Sequence, residues 1–127
     1  MNTLQLLLSL ATGFGLLYVW LIRFGKPSPY RGGRARDMVE EFSEYGLPKS
    51  LVWIVGAAKV TAAIALILSL VVPWLLLPSI VVIAFLMLAA ISLHVKINDQ
   101  LRKSLPAATL LVMTLLIAAS SLLATAS

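Results

Sequence analysis

The chain has 127 residues, of which 61% are hydrophobic and 12% charged, with a net charge of +5 and a mean hydropathy of +1.01. A soluble domain carries about 25% charged residues, so this composition excludes an ordinary soluble domain and indicates one integral membrane domain. There is no cysteine, which excludes disulfides, thiol redox chemistry and thiolate metal sites, and the one histidine, His94, cannot alone give two imidazole ligands to a haem or copper.

A bilayer core about 30 Å thick needs roughly 20 apolar residues in a helix. Leu4–Ile22 is the first such span. It lacks a basic leader and a small-residue cleavage pattern, so a retained helix is expected. Ser9 with Gly13, and Ala11 with Gly15, form two small-xxx-small pairs that permit close helix contact. Tyr18 and Trp20 near its end suit the interfacial belt. The span has no charge, unlike the acidic first helix of small multidrug cation exporters.

Arg23 to Ser50 is the longest polar stretch. Pro27, Pro29 and the Gly32-Gly33 pair forbid continuing the first helix. Arg34–Tyr45 then reads as a short amphipathic helix lying in the membrane interface or covering a cavity beneath it, with Met38, Phe42 and Tyr45 on one face. Glu40, Glu41 and Glu44 read as its wet face. Gly46 suits a left-handed cap, Pro48 a stop, and Ser50 the N-cap of the next span.

Leu51–Val72 is the second span, and it carries Lys59 well inside. A lysine near the centre of such a helix costs roughly 2.5–3.5 kcal/mol. Around it lie Gly56, Ala57, Ala58, Ala62 and Ala63, which favour tight packing. Pro73-Trp74 makes a short turn into a third span, about 75–97, which ends with His94 and Lys96. Asn98–Ser104 is a charged loop. Ser104 and Pro106 suit the start of the fourth span, about 105–126. Leu47-Pro48-Lys49-Ser50-Leu51 and Leu101-Arg102-Lys103-Ser104-Leu105 resemble each other. They reflect either duplication of a two-helix unit or a shared need to start a helix at a basic interface.

The expected fold is therefore an all-α, four-transmembrane-helix bundle with a short interfacial helix between the first two spans. Loop one holds Arg23, Lys26, Arg31, Arg34, Arg36 and Lys49, and loop three holds Lys96, Arg102 and Lys103. The loop between the second and third spans has no basic residue. The positive-inside rule thus puts loops one and three in the cytoplasm and both termini outside. The basic residues are explained by topology, and no nucleic acid is expected as a partner.

Lys59 lies about 13 Å into its span at ~1.5 Å per residue, and helical side chains lean toward the N-terminus. It can therefore reach back toward loop one. His94 sits at the same end of the next helix, and its lean points it inward. The two are expected to meet roughly 5–8 Å below the interface. Tyr45, Glu44 and Gly56 complete the candidate ligand-binding set. His94 and Asp99 are the candidates for catalysis by proton transfer, although five residues is a poor spacing on a helix and needs the loop to fold back. Each has a plainer reading: Lys59 snorkelling, His94 as an interfacial hydrogen-bonding group, Asp99 as a turn residue. No Gly-rich phosphate loop, HExxH, GxSxG or metal-ligand cluster occurs.

Phe42-x-x-Tyr45-Gly46-Leu47-Pro48, Val55-Gly56-x-x-Lys59, His94-x-x-x-x-Asp99 and Pro106 at the opening of the last helix resemble the DoxX-like family of bacterial four-helix membrane proteins. The resemblance implies a multi-pass protein of the bacterial cytoplasmic membrane. It picks out Tyr45, Gly46, Pro48, Gly56, Lys59, His94 and Asp99 without assigning them catalytic roles. Some members are subunits of quinone-linked or oxidative-stress complexes. The expected function is accordingly to bind a hydrophobic ligand (quinone, isoprenoid or lipid) as an accessory subunit, in the bilayer, with a redox partner subunit or a second copy of the chain as neighbour and no intrinsic cofactor. The alternative is a small membrane isomerase or hydrolase acting on a lipidic substrate.

Overall fold

Four apolar stretches give four long helices in the computed structural model, which describes residues 2–126, with side chains described as far as Leu123. Among the described residues there is no strand. The helices are α1 (Thr3–Leu17), α2 (Met38–Glu44), α3 (Lys49–Leu68), α4 (Leu76–Lys96) and α5 (Leu105–Ala126). All but the short α2 are parts of spans long and apolar enough to cross a membrane. Each long helix packs on the next in the chain, and α5 closes the ring on α1. The result is an up-down-up-down bundle, the arrangement that short connections favour.

Packing between helices in lipid depends on close approach rather than on hydrophobic expulsion from water. Gly13 of α1 shows this: a Cβ there would sit 2.6 Å from Ile67 Cγ1 and 3.1 Å from the Ala63 carbonyl of α3. Of the two small-residue pairs, Ser9 and Gly13 face inward and Ala11 is exposed. Leu16, Ala62, Ala63, Leu66, Ile80, Ile83, Met87 and Ile117 form the central core. Trp20, Met38, Phe42 and Val52 form a second cluster at the loop-one end. The outer surface is apolar, with Leu7, Phe14, Ile54 and Phe85 exposed, as a lipid-facing surface requires.

Several element ends differ from the sequence reading. α1 runs into a π-helical turn, Tyr18–Ile22, closed by the Arg23 N–H on the Tyr18 carbonyl at 3.0 Å. The wider turn buries Trp20 and leaves Tyr18 and Leu21 exposed. α2 begins at Met38 rather than Arg34, because Asp37 caps it by accepting from the Glu40 N–H at 2.8 Å. Pro48, not Ser50, stands at the N-cap of α3, which starts at Lys49. α3 stops at Leu68, and turns with a 3₁₀ segment, Pro73–Leu75, lead into α4. A 3₁₀ turn, Leu101–Ser104, precedes α5. The two similar five-residue stretches therefore fold differently, one as a cap and helix start, the other as a 3₁₀ turn.

Two helix ends near the site share one motif. Gly46 has φ +78, its N–H bonds to the Ser43 carbonyl and the Leu47 N–H to that of Phe42. Asn98 has φ 57, its N–H bonds to Val95 and the Asp99 N–H to His94. Both are Schellman caps, which satisfy the last carbonyls of a helix and turn the chain sharply back.

Candidate functional site

The functional question starts with charge. Every charged side chain except Lys59 lies in Arg23–Lys49 or Lys96–Lys103. Loop one and the α4–α5 connection meet at one end of the bundle, through the Gly33 N–H on Asp99 at 3.1 Å and Lys103 Nζ on the Gly33 carbonyl at 2.6 Å. Beneath them is a cavity of about 330 Å³, at the low end of ligand pockets, which run from about 300 to 1,000 Å³. Its floor includes Leu16, Leu86, Met87 and Leu110, and its upper wall includes Arg31, Glu41, Tyr45 and His94. Lys59 lies on the wall with them.

Lys59 does reach back toward the loop end. Its Nζ sits 5.1 Å from the centroid of the Trp20 ring, close enough for a cation–π contact. Its ammonium has no hydrogen bond or ion pair to any described residue. The ring can approach because Gly56 lies under it, where a Cβ would fall 2.7 Å from Trp20 Cζ3.

His94 is buried and engaged on both sides. Nδ1 lies 2.7 Å from Asp99 Oδ2 and Nε2 lies 3.2 Å from the Tyr45 hydroxyl. The Schellman cap brings Asp99 back over the ring, which overcomes the poor five-residue spacing. Tyr45 in turn donates to Glu41 Oε1 at 2.8 Å. Glu41 also takes the Gly32 N–H at 3.1 Å and Arg31 Nη1 at 3.0 Å. Arg31 finishes the chain by donating through Nη2 to the carbonyls of Arg23, Phe24 and Lys26, at the end of the first span. The Arg23 and Phe24 carbonyls also accept the N–H groups of Lys26 and Met38, so the guanidinium adds a second donor to each.

The electrostatics follow from the contacts. Burial pushes the Asp99 carboxyl up, but the His94 hydrogen bond, the Gly33 N–H and the nearby Lys103 ammonium outweigh it and hold the group below the usual carboxylate range. Burial, then the Glu41 carboxylate beside it, pushes the Tyr45 phenol far above its ordinary value. Tyr45 thus keeps its proton and stays a hydrogen-bond donor. Its single proton serves two neighbours. The hydroxyl can turn between Glu41 Oε1 and His94 Nε2.

The structure brings Lys59, His94 and Tyr45 to one cavity, with Asp99 directly behind His94. It does not bring Glu44 or Gly56 there. Glu44 is exposed and packs beside Gly33, and Gly56 faces the outer side of Trp20, where it borders a separate surface groove with Trp53 and Phe24. Neither lines the cavity. Glu41, read as part of the wet face, is buried against Arg31. The sequence placed Arg31 only among the loop-one charges and Trp20 only in the interfacial belt. Spacing offered one signal: Glu41 follows Met38 by three residues and precedes Tyr45 by four, so it shares their inward face.

No curated protein and no solved structure matches the chain. A family model described as the DoxX-like family matches residues 31–120, a stretch that contains loop one, Lys59, His94 and Asp99.

Proposed function

The chain belongs to the DoxX-like family of membrane proteins, and on that premise we propose that it binds a hydrophobic ligand, a quinone, isoprenoid or lipid, by its polar head in the cavity beneath loop one. The observation that carries this reading is the Lys59 ammonium. It is costly at membrane depth, faces a cavity with an apolar floor, and touches the Trp20 ring, with the Glu41 carboxylate near enough to be felt but not paired with it. A charge held at a cost without an ion-pair partner inside the protein is available to one outside it. His94 and Tyr45 share the wall and supply the other head contacts. The positive-inside rule supports a cytoplasmic position for this end and a bacterial inner-membrane location. The family resemblance supports an accessory role, with electron transfer left to a partner subunit.

The test is ligand retention. Lys59→Met is expected to lose bound lipid or quinone on purification while the helical fold survives. Unchanged retention would remove the reading.

One observation favours a second reading, a small isomerase or hydrolase. The Asp99–His94 pair reaches the cavity, with the Tyr45 hydroxyl beside the ring, and an imidazole backed by a carboxylate is an arrangement that general acid–base catalysis uses. That reading expects product formation by the purified chain alone and its loss in His94→Ala.

A further inference from the structure

The cavity's inventory of donors and charges narrows the ligand class. Among the described residues its lining carries four cationic side chains, Arg23, Arg31, Lys59 and Lys103, against one carboxylate, Glu41. Two of the four are matched: Arg31 by Glu41, and Lys103 by Asp99 at 3.6 Å. Lys59 and Arg23 have no carboxylate partner, and Arg23 makes one hydrogen bond, to the Pro27 carbonyl at 2.7 Å. The buried Arg31 also keeps an Nε hydrogen with no acceptor. The acceptor side is already engaged, since Glu41 takes the Gly32 N–H, the Tyr45 hydroxyl and Arg31 together.

A neutral carbonyl head would use some of these donors but leave the Lys59 ammonium uncompensated in a low-dielectric site, whereas the partly exposed Arg23 is reached by solvent. A cationic head would add a second such charge. An anionic oxygen head uses the donors and offsets the charge, and hydrogen bonds in which a partner is ionised are roughly twice as strong as neutral ones. The apolar part has its own place on the floor beside Leu86 and Met87. Among the exposed members of the lining, Tyr18 in the π-helical turn that follows α1 and Pro106 on α5 mark a mouth between the first span and α5. A tail longer than the cavity can leave there into the bilayer.

We infer that the site selects an amphiphile with an anionic oxygen head, a carboxylate or a phosphate, over one with a neutral head. This rests on the ligand-binding reading above and makes it more specific. The experiment compares dodecanoate, dodecyl phosphate, dodecanol and a short-tailed quinone on the full chain in neutral detergent, with retention read by native mass spectrometry. The expected result is that one or both anions exceed the alcohol and the quinone by about tenfold or more, the equivalent of one charge-assisted contact. The stronger of the two anions identifies the head. Lys59→Met should bring the anions down to the alcohol's level, and Lys59→Arg should keep their advantage. Equal retention of dodecanol or the quinone, or an anion preference unmoved in Lys59→Met, overturns the anionic head and leaves ligand binding standing. Retention of none of the four overturns both.

Discussion

At the scale of single residues, the loop-one end is held by buried charge that is matched almost group for group. Glu41 and Arg31 are nearly inaccessible, with side-chain exposures of 11% and 6%. Breaking a buried pair from one side typically costs about 3–5 kcal/mol, because the survivor is stranded. Glu41→Ala is therefore expected to lower the thermal stability of the detergent-solubilised protein by that order, and more than Glu40→Ala, whose pairing with Arg36 is solvent-exposed. Lys59 should behave in the opposite way. Its removal relieves a charge at membrane depth and forfeits only a cation–π contact of about 0.5–2 kcal/mol. Lys59→Met is expected to melt no lower than the parent chain; a large destabilisation would make Lys59 a structural residue. Asp99 predicts an acid limit. Its carboxyl is held below the ordinary range in the folded state, so the stability it adds is complete above the unfolded value of about 3.9 and is lost as pH falls through the folded one. Asp99→Asn should flatten that part of a melting curve series taken from neutral to acid pH.

At the scale of elements, glycines and caps decide where the site residues point. Alanine is normally about 1 kcal/mol better than glycine inside a helix. At Gly56 the sign should reverse, because the new methyl would overlap the Trp20 ring, and overpacking costs roughly 1–3 kcal/mol. Gly56→Ala is thus expected to destabilise α3 against the π-helical turn of the first span and to change the Trp20 fluorescence environment. Asn98 holds the left-handed position of the cap that brings Asp99 over His94. Glycine is comfortable there, while a β-branched residue pays about 1–2 kcal/mol. Asn98→Gly should keep both stability and the acid profile, and Asn98→Val should impair both, since it opens the turn that carries Asp99.

At the scale of the whole molecule, charge is segregated to one end. The connection from Ser69 to Leu75 carries none, whereas the other end holds both charged loops. On the proposed topology, which puts loops one and three in the cytoplasm, a cysteine placed at Gln100 should react with an impermeant thiol reagent only from the inner face. One placed at Val71 should react only from the outer face. The chain has no cysteine of its own, so each label reports a single site. The reverse pattern would invert the proposed side of the cavity without altering the bundle.

The sequence by itself determined the four apolar helices, the amphipathic character of the segment after the first span, and the depth of Lys59. These are local properties: run length, helical periodicity and side-chain lean are set by neighbours a few residues apart. The same locality explains the two helix ends that Gly46 and Asn98 close. Only the tertiary structure decided that Arg31 ties loop one to the end of the first span, that Glu41 is buried rather than wet, that Gly56 serves Trp20 rather than the cavity, and that Asp99 meets Gly33 across 66 residues. Those outcomes depend on pairing polar groups that burial makes costly to leave alone, and which partner is near is fixed by the packing of whole helices, which no stretch of the chain carries in its own pattern.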